Sequence, residues 1–285
     1  MIENRLMHEE LNTFIEFALK EDIREGDHTS LACIPAEAIG KAQLLVKENG
    51  ILAGMEVAEA IFKKVDSAIV FFPLKKDGEK ISYGDVAFMV EGPSSSLLTA
   101  ERLVLNCMQR MSGIATKTHQ IIQLLEGTNA QVLDTRKTTP GIRFLEKWAV
   151  KIGGGTNHRF GLYDMMMIKD NHIDFAGGIE AAIEKALAYQ KEKGLNIPIE
   201  VEARNLDEVE EIMRVGKIQR IMLDNFSFAD TRIAVERIAN TFETEASGGI
   251  TEATIREHAL CGVDFISVGA LTHSVSSLDL SLKAL

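Results

Sequence analysis

Six short apolar runs mark the second half of the chain: AQVLDTR, MMMIKDN, IPIEVEA, RIMLDNF, TFETEAS and DFISVGA, each separated from the next by helical or loop sequence. Strand alternating with helix in this way predicts a parallel sheet with helical crossovers. Polar residues and a glycine gather where the runs stop, at Asp134, Lys169, Glu202, Asp224, Glu245 and Gly269. In a barrel of parallel strands those ends share one face, and that face carries the active site. The first half reads differently. Leu11, Phe14, Ile15, Ala18 and Leu19 fall at helical spacing ahead of REGDHTS, which has the composition of a loop. From Lys41 to Glu91, short apolar runs broken by Gly, Asp and Pro predict an antiparallel sheet, with the helix EVAEAIFKKV among its strands. Pro93 and three serines precede a long helical pattern beginning at Leu97, in which Ser112 and Gly113 predict an interruption and a domain boundary. Asn205 with Glu208 forms a capping-box pattern at the start of a later helix.

With 285 residues the chain is long enough for one large core or two modest ones. Forty-two acidic against 31 basic side chains leave a net charge of −11, which argues against nucleic acid and acidic membrane as partners. Cys33, Cys107 and Cys261 are odd in number and include no CxxC pair, so no disulfide framework or thiolate zinc site is suggested. The opening MIENRLMHEELN lacks a basic segment followed by an apolar core, and no apolar run reaches the roughly 18 residues that span a bilayer. A cytoplasmic protein is expected.

Within this acidic chain, Asp134 to His172 concentrates Arg136, Lys137, Arg143, Lys147, Lys151, His158, Arg159 and Lys169. A local cationic cluster of this kind implies a small, multiply anionic ligand. In DTRKTTPG, a guanidinium fork and a neighbouring ammonium suit carboxylate or phosphate, although a salt-bridged loop uses the same residues. In GGGTNHRFGLYD, three glycines let backbone approach a ligand beside His158 and Arg159, as they would also loosen a surface loop. Lys169 follows MMMI and emerges at a strand end. Glu200 and Glu202 share one strand face, and Asp224 ends the next strand. Two carboxylates so placed suit Mg²⁺, ribose hydroxyls or a cationic sugar, and would equally serve as caps or counter-charges. Ser247, Gly248, Gly249, Gly269 and Ala270 bring small residues to the last two strand ends, where backbone N–H groups bind phosphate in barrels.

These segments, in this order, resemble the quinolinate phosphoribosyltransferase family: EDIREGDHTS, ERLVLNCMQRMSGIAT, DTRKTTPG, KIGGGTNHRFGLYDMMMIKDNH, EVE, LDNF, EASGGI and VDFISVGALTHS. The resemblance implies an N-terminal α/β sandwich over 1–112, joined by the tail 273–285, and an incomplete α/β barrel over 113–272, the type II phosphoribosyltransferase architecture. By the same resemblance, Arg102 (from a partner subunit), Thr135, Arg136, Lys137, His158, Arg159 and Lys169 bind quinolinate. Lys137, Lys169, Glu202, Asp224, Ser247, Gly248, Gly249, Gly269 and Ala270 bind phosphoribosyl pyrophosphate. Lys137, Glu202 and Asp224 take the catalytic roles, and Glu202 and Asp224 hold Mg²⁺, largely through substrate or water. A homodimer, or a hexamer built from dimers, with shared sites is implied. The reaction expected is phosphoribosyl transfer to quinolinate with loss of carbon dioxide, giving nicotinate mononucleotide for NAD synthesis. Rival readings are a Schiff-base lyase using Lys169, a binding protein without turnover, and a relative that ribosylates another anionic acceptor.

Overall fold

A computed structural model describes residues 2–285, with side chains from His8 onward. Contacts divide the chain into two compact units: residues 1–119, 138–154 and 271–285 form one, and residues 120–137 with 155–270 form the other.

The first unit opens with α1 (Ile2–Ile23) and the short α2 (His28–Cys33). REGDHTS is therefore part helix, because Asp27 accepts the Ser30 N–H at 3.1 Å and caps α2. Then follow β1 (Ile39–Val46), β2 (Gly50–Ile51), α3 (Met55–Val65), β3 (Val70–Pro73), β4 (Lys80–Ile81), β5 (Val86–Pro93) and α4 (Ser94–Leu124). Along β1 the buried residues are Ala42, Leu44 and Val46, the period of two of a half-buried strand. The apolar stripe of α3 supplies Val57, Ala58, Ile61 and Phe62, and the Phe62 and Phe88 rings meet edge-on at 5.9 Å.

The expected break at Ser112 and Gly113 does not occur, since α4 runs unbroken through both. These small residues admit neighbouring backbone instead. Ser112 Oγ accepts the Ala53 N–H at 3.0 Å and donates to the Ala53 carbonyl at 3.2 Å. A Cβ on Gly113 would collide with the Ser276 carbonyl oxygen.

After α4 the alternation begins: β6 (Gln131–Leu133), α5 (Arg143–Ile152), β7 (Met166–Ile168), α6 (Asp170–Ala176), α7 (Ile179–Lys193), β8 (Ile199–Ala203), α8 (Leu206–Val215), β9 (Arg220–Asp224), α9 (Phe228–Ile238), β10 (Glu243–Ser247), α10 (Ile255–Leu260), β11 (Phe265–Ser267), α11 (Ala270–His273) and β12 (Leu280–Ala284). All six anticipated strands form, and they pair in parallel in the order β6-β11-β10-β9-β8-β7, leaving β6 and β7 at the edges of an incomplete barrel. By contrast β12 pairs antiparallel with β1, so the tail adds the outer strand of the sheet β12-β1-β5-β3. Together, antiparallel sheet with helices and parallel strands with helical crossovers make an α/β sandwich and an incomplete α/β barrel. Asn205 caps α8 by accepting the Glu208 N–H at 3.0 Å, but the Glu208 carboxylate turns to the Arg204 N–H rather than back to Asn205.

Candidate active site

Alternation along the barrel strands sorts side chains to two faces. Val201, Ile221, Leu223, Ala246 and Ile266 are buried in one set. Glu200, Glu202, Arg220, Asp224, Glu245 and Ser247 occupy the alternate set and meet one another. Because Ser247 is level with Asp224, and Glu202 and Glu245 are both level with Met222, the set is layered: Asp224 and Ser247 nearest the C-terminal ends, Glu202 and Glu245 next, and Glu200 with Arg220 deeper. Glu245 therefore does not end its strand, as the sequence pattern suggested. It is fully buried in mid-strand, and Ser247 takes the end position.

Glu202 on β8 and Lys169, just beyond the end of neighbouring β7, face each other at 3.7 Å. Burial raises the Glu202 carboxyl above the usual range, the Asp224 charge adds to the rise, and Lys169 opposes it. Beyond Asp224 the chain turns at Asn225, whose φ of 56° is left-handed and whose side chain donates to Asp224 at 2.7 Å. Gly248 has φ 98°, and a Cβ there would collide with Asn225. Only a glycine lets these two strand ends interlock.

The cationic side is built by the segment after β6. Leu133 pairs in parallel with Thr156, so this segment lies along the free edge of β6. Asp134, fully buried, accepts the His158 N–H at 2.9 Å and the Asn157 side-chain amide at 2.6 Å. Asp164 accepts the N–H groups of Phe160 and Gly161 at 2.6 and 2.8 Å, closing the following turn. So held, Arg159 is half-buried and reaches the Met165 carbonyl at 3.4 Å. Burial lowers its guanidinium below the ordinary range, and the charge of Arg136 lowers it further. Two like charges close enough to interact, one of them half-buried, favour an anion between them. Arg136 and Lys137 are exposed, with the Lys137 N–H donating to Thr135 Oγ1 at 3.0 Å.

His158 has a different surrounding from the other cationic residues. Its ring is 7% exposed, with Nε2 at 3.0 Å from Glu200 and 3.3 Å from Glu245, while Nδ1 accepts the Arg159 N–H at 2.6 Å. Burial works against a charged ring, yet the two carboxylates outweigh it and raise the imidazole to about 9. The Arg159 contact makes the opposite demand, since a proton on Nδ1 would face an N–H. The carboxylates taken alone would leave the ring charged at neutral pH, but the 2.6 Å contact is one a charged ring cannot make, and it holds the ring neutral with its proton on Nε2.

The structure brings Arg136, Lys137, His158, Arg159, Lys169, Glu202, Asp224, Ser247, Gly248, Gly249, Gly269 and Ala270 into the second unit. Arg143, Lys147 and Lys151 belong instead to the first unit on α5, and Lys147 is buried. Arg102 is also in the first unit, exposed on α4 and 3.9 Å from Glu101. Asp134, expected at a strand end on the active-site face, anchors the backbone at His158. Asn157, Asp164, Arg220 and Asn225 were not anticipated as site residues and are recognisable only by what they touch.

Parallel barrel strands ending in paired guanidiniums, paired carboxylates and small-residue turns define a phosphoribosyltransferase of the barrel class. Comparison with known proteins is specific about which. Family models described as quinolinate phosphoribosyl transferase, N-terminal and C-terminal domains, match residues 27–112 and 114–283. Nicotinate-nucleotide pyrophosphorylase (carboxylating), chloroplastic, of Arabidopsis thaliana is 45% identical over 96% of this chain and 82% of the relative. Quinolinate phosphoribosyltransferase (decarboxylating) 1b of Nicotiana tabacum matches at the same identity and the same shares of both chains, 45%, 96% and 82%. The solved nicotinate-nucleotide pyrophosphorylase of Francisella tularensis superposes with a TM-score of 0.91 at 39% identity, covering 97% of this chain and 96% of that one. The chain belongs to the quinolinate phosphoribosyltransferase family, a family of decarboxylating phosphoribosyltransferases.

Proposed function

We propose that the C-terminal face of the barrel joins quinolinate to phosphoribosyl pyrophosphate, releasing pyrophosphate and carbon dioxide and leaving nicotinate mononucleotide. The observation that carries this reading is an exposed Arg136 close enough to the half-buried Arg159 for their charges to interact, a pair of cations suited to a diacid. Thr135, Lys137 and Lys169 complete the acceptor side, and His158 orients it. Arg102, exposed on α4, serves the site of a second copy in a dimer or a larger assembly of dimers.

In the transfer, the lone pair of the pyridine nitrogen forms a bond to C1 of the sugar as the C1–oxygen bond breaks, its electron pair leaving with pyrophosphate. No general base is needed, because the nucleophile carries no proton. Positive charge grows on the sugar ring, and Glu202 and Asp224 stabilise it. Lys137 and Lys169 offset the departing negative charge. The ribosylated ring nitrogen is cationic and draws in the electrons of the C–CO₂ bond, after which the ring carbon takes a proton from solvent. Backbone N–H groups around Ser247, Gly248, Gly249, Gly269 and Ala270 hold the 5-phosphate. Mg²⁺ fits Glu202 and Asp224, since both offer hard oxygen ligands and their mutual repulsion raises Glu202; it would neutralise pyrophosphate. Three free cysteines and the acidic balance support the cytoplasm as its location. Among the described residues no helix is long and apolar enough to cross a membrane.

Purified protein given quinolinate, phosphoribosyl pyrophosphate and Mg²⁺ is expected to release pyrophosphate and carbon dioxide in equal amounts. No release, or equal release with nicotinate in place of quinolinate, rejects the reading. Arg136→Ala should weaken quinolinate about 10- to 100-fold, the value of a charged hydrogen bond, while the sugar donor changes little. Separate binding titrations of the two ligands check this.

A further inference from the structure

Inside the barrel, beside and beneath Glu202, lies a cluster of charge that the transfer does not use. Glu200 and Glu245 are fully buried, and Arg220 is 8% exposed. Arg220 donates to Glu245 at 2.9 Å and to Glu243 at 3.1 Å, with its guanidinium 4.0 Å from the centre of the Phe265 ring. Both buried carboxylates face His158 Nε2, at 3.0 Å from Glu200 and 3.3 Å from Glu245. Barrel interiors are ordinarily filled by branched apolar side chains. Replacing a buried ion cluster by such packing usually costs no stability, so stability alone does not account for this one. His158, Glu200 and Glu245 are also spaced as three ligands of a metal, but Arg220 already supplies Glu245 with a cation.

We propose that Glu200, Glu245 and Arg220 are positioning residues: by holding a proton on His158 Nε2 they keep Nδ1 bare to accept the Arg159 backbone N–H, and so fix the backbone from which the Arg159 side chain extends. The chain of contacts is continuous. Arg220 holds Glu245, and Glu245 with Glu200 takes the Nε2 side of the ring. The other ring nitrogen accepts from Arg159 at 2.6 Å, and Asp134 fixes the backbone one residue earlier at 2.9 Å. In a histidine, the hydrogen bond made by one nitrogen selects which nitrogen is bare. The buried imidazole thus adds a side-chain acceptor to the backbone of the loop that carries Arg159. The inference rests on the reading that Arg159 binds the diacid.

Full-length Glu200→Gln tests it, because the change leaves the Arg220–Glu245 pair in place. KM for quinolinate is expected to rise about tenfold, the scale of coupling between residues in one hydrogen-bonded network, while KM for phosphoribosyl pyrophosphate stays within about twofold. The Arg159 amide resonance should move as well. An unchanged quinolinate KM, or an equal rise for both substrates, overturns the proposal. Should Glu200→Gln fail to fold, Glu200→Asp, which shortens the reach to Nε2 and also leaves the Arg220–Glu245 pair in place, is read the same way. Independently of any variant, nitrogen-15 spectra of histidine-labelled wild type at neutral pH should show His158 protonated on Nε2 and bare on Nδ1; a proton on Nδ1 overturns it. Arg159→Ala separates the two levels. Loss of quinolinate binding there, with none in a folded Glu200→Gln, rejects only the positioning role. No loss in Arg159→Ala rejects the functional reading beneath it.

Discussion

Asp134 and His158 are joined through the backbone: the buried Asp134 carboxylate accepts the His158 N–H at 2.9 Å, and its other oxygen accepts the Asn157 amide at 2.6 Å. The residue that follows β6 thus ties down the loop that presents Arg159. Asp134→Ala leaves the buried His158 N–H without this acceptor and is expected to cost about 1–3 kcal/mol of stability. Asp134→Asn, which keeps a carbonyl oxygen for that N–H, should recover part of the loss. Urea unfolding of the two variants beside the wild type checks the order.

Glu202 stands at 3.7 Å from Lys169 and close enough to Asp224 for the two charges to interact. If it stabilises charge that exists only during transfer, Glu202→Gln should lower kcat about 100-fold or more while leaving quinolinate affinity nearly unchanged. Single-turnover rates together with a binding titration separate the two effects. A loss confined to affinity would assign Glu202 to binding alone.

Gly248 cannot accept a side chain without displacing Asn225, and its φ of 98° strains any residue with a Cβ. Gly248→Ala is expected to destabilise the protein by more than about 1 kcal/mol. Because Asn225 adjoins Asp224, KM for phosphoribosyl pyrophosphate should rise more than KM for quinolinate. Thermal unfolding and steady-state kinetics read the two consequences separately.

Asp77 gives a dependence on pH that is independent of the site. Burial raises its carboxyl to about 6, the Met55 N–H at 3.0 Å works against the rise, and the Glu56 charge adds to it. The folded value lies above the ordinary 3.8, so folding favours the protonated form. That contribution is fully present below pH 3.8 and is lost as pH rises through about 6. Asp77→Asn still offers an oxygen to Met55 and does not ionise. Its stability relative to the wild type should therefore increase between pH 4 and pH 7 and then level off. Denaturant midpoints across that range provide the test, and a constant difference would contradict it.

Local pattern made much of the architecture legible. Each of the six barrel strands is a short apolar run bounded by loop or helical sequence, so its existence depends mainly on its own residues. Ser112 and Gly113 show where such reading stops. A glycine beside a serine weakens an isolated helix, yet α4 continues through both because close approach by Ala53 and Ser276 requires small residues there. Glu245 shows the same limit from another side: TFETEAS does not reveal whether its second glutamate closes the strand or lies within it, and only the register with Met222 answers.

Strand and helix periods, the acidic balance and the motifs that carry the family resemblance are properties of residues near one another in the chain, and sequence alone determined them. Which charges face one another was decided by tertiary structure. Parallel pairing set Glu200 level with Arg220 and put Glu245 on the same interior face, and His158 meets both carboxylates there, whereas Lys147, from the same basic stretch, was buried in the other unit. Barrel closure brings together residues from strands far apart in sequence, and no local pattern encodes which side chains will meet.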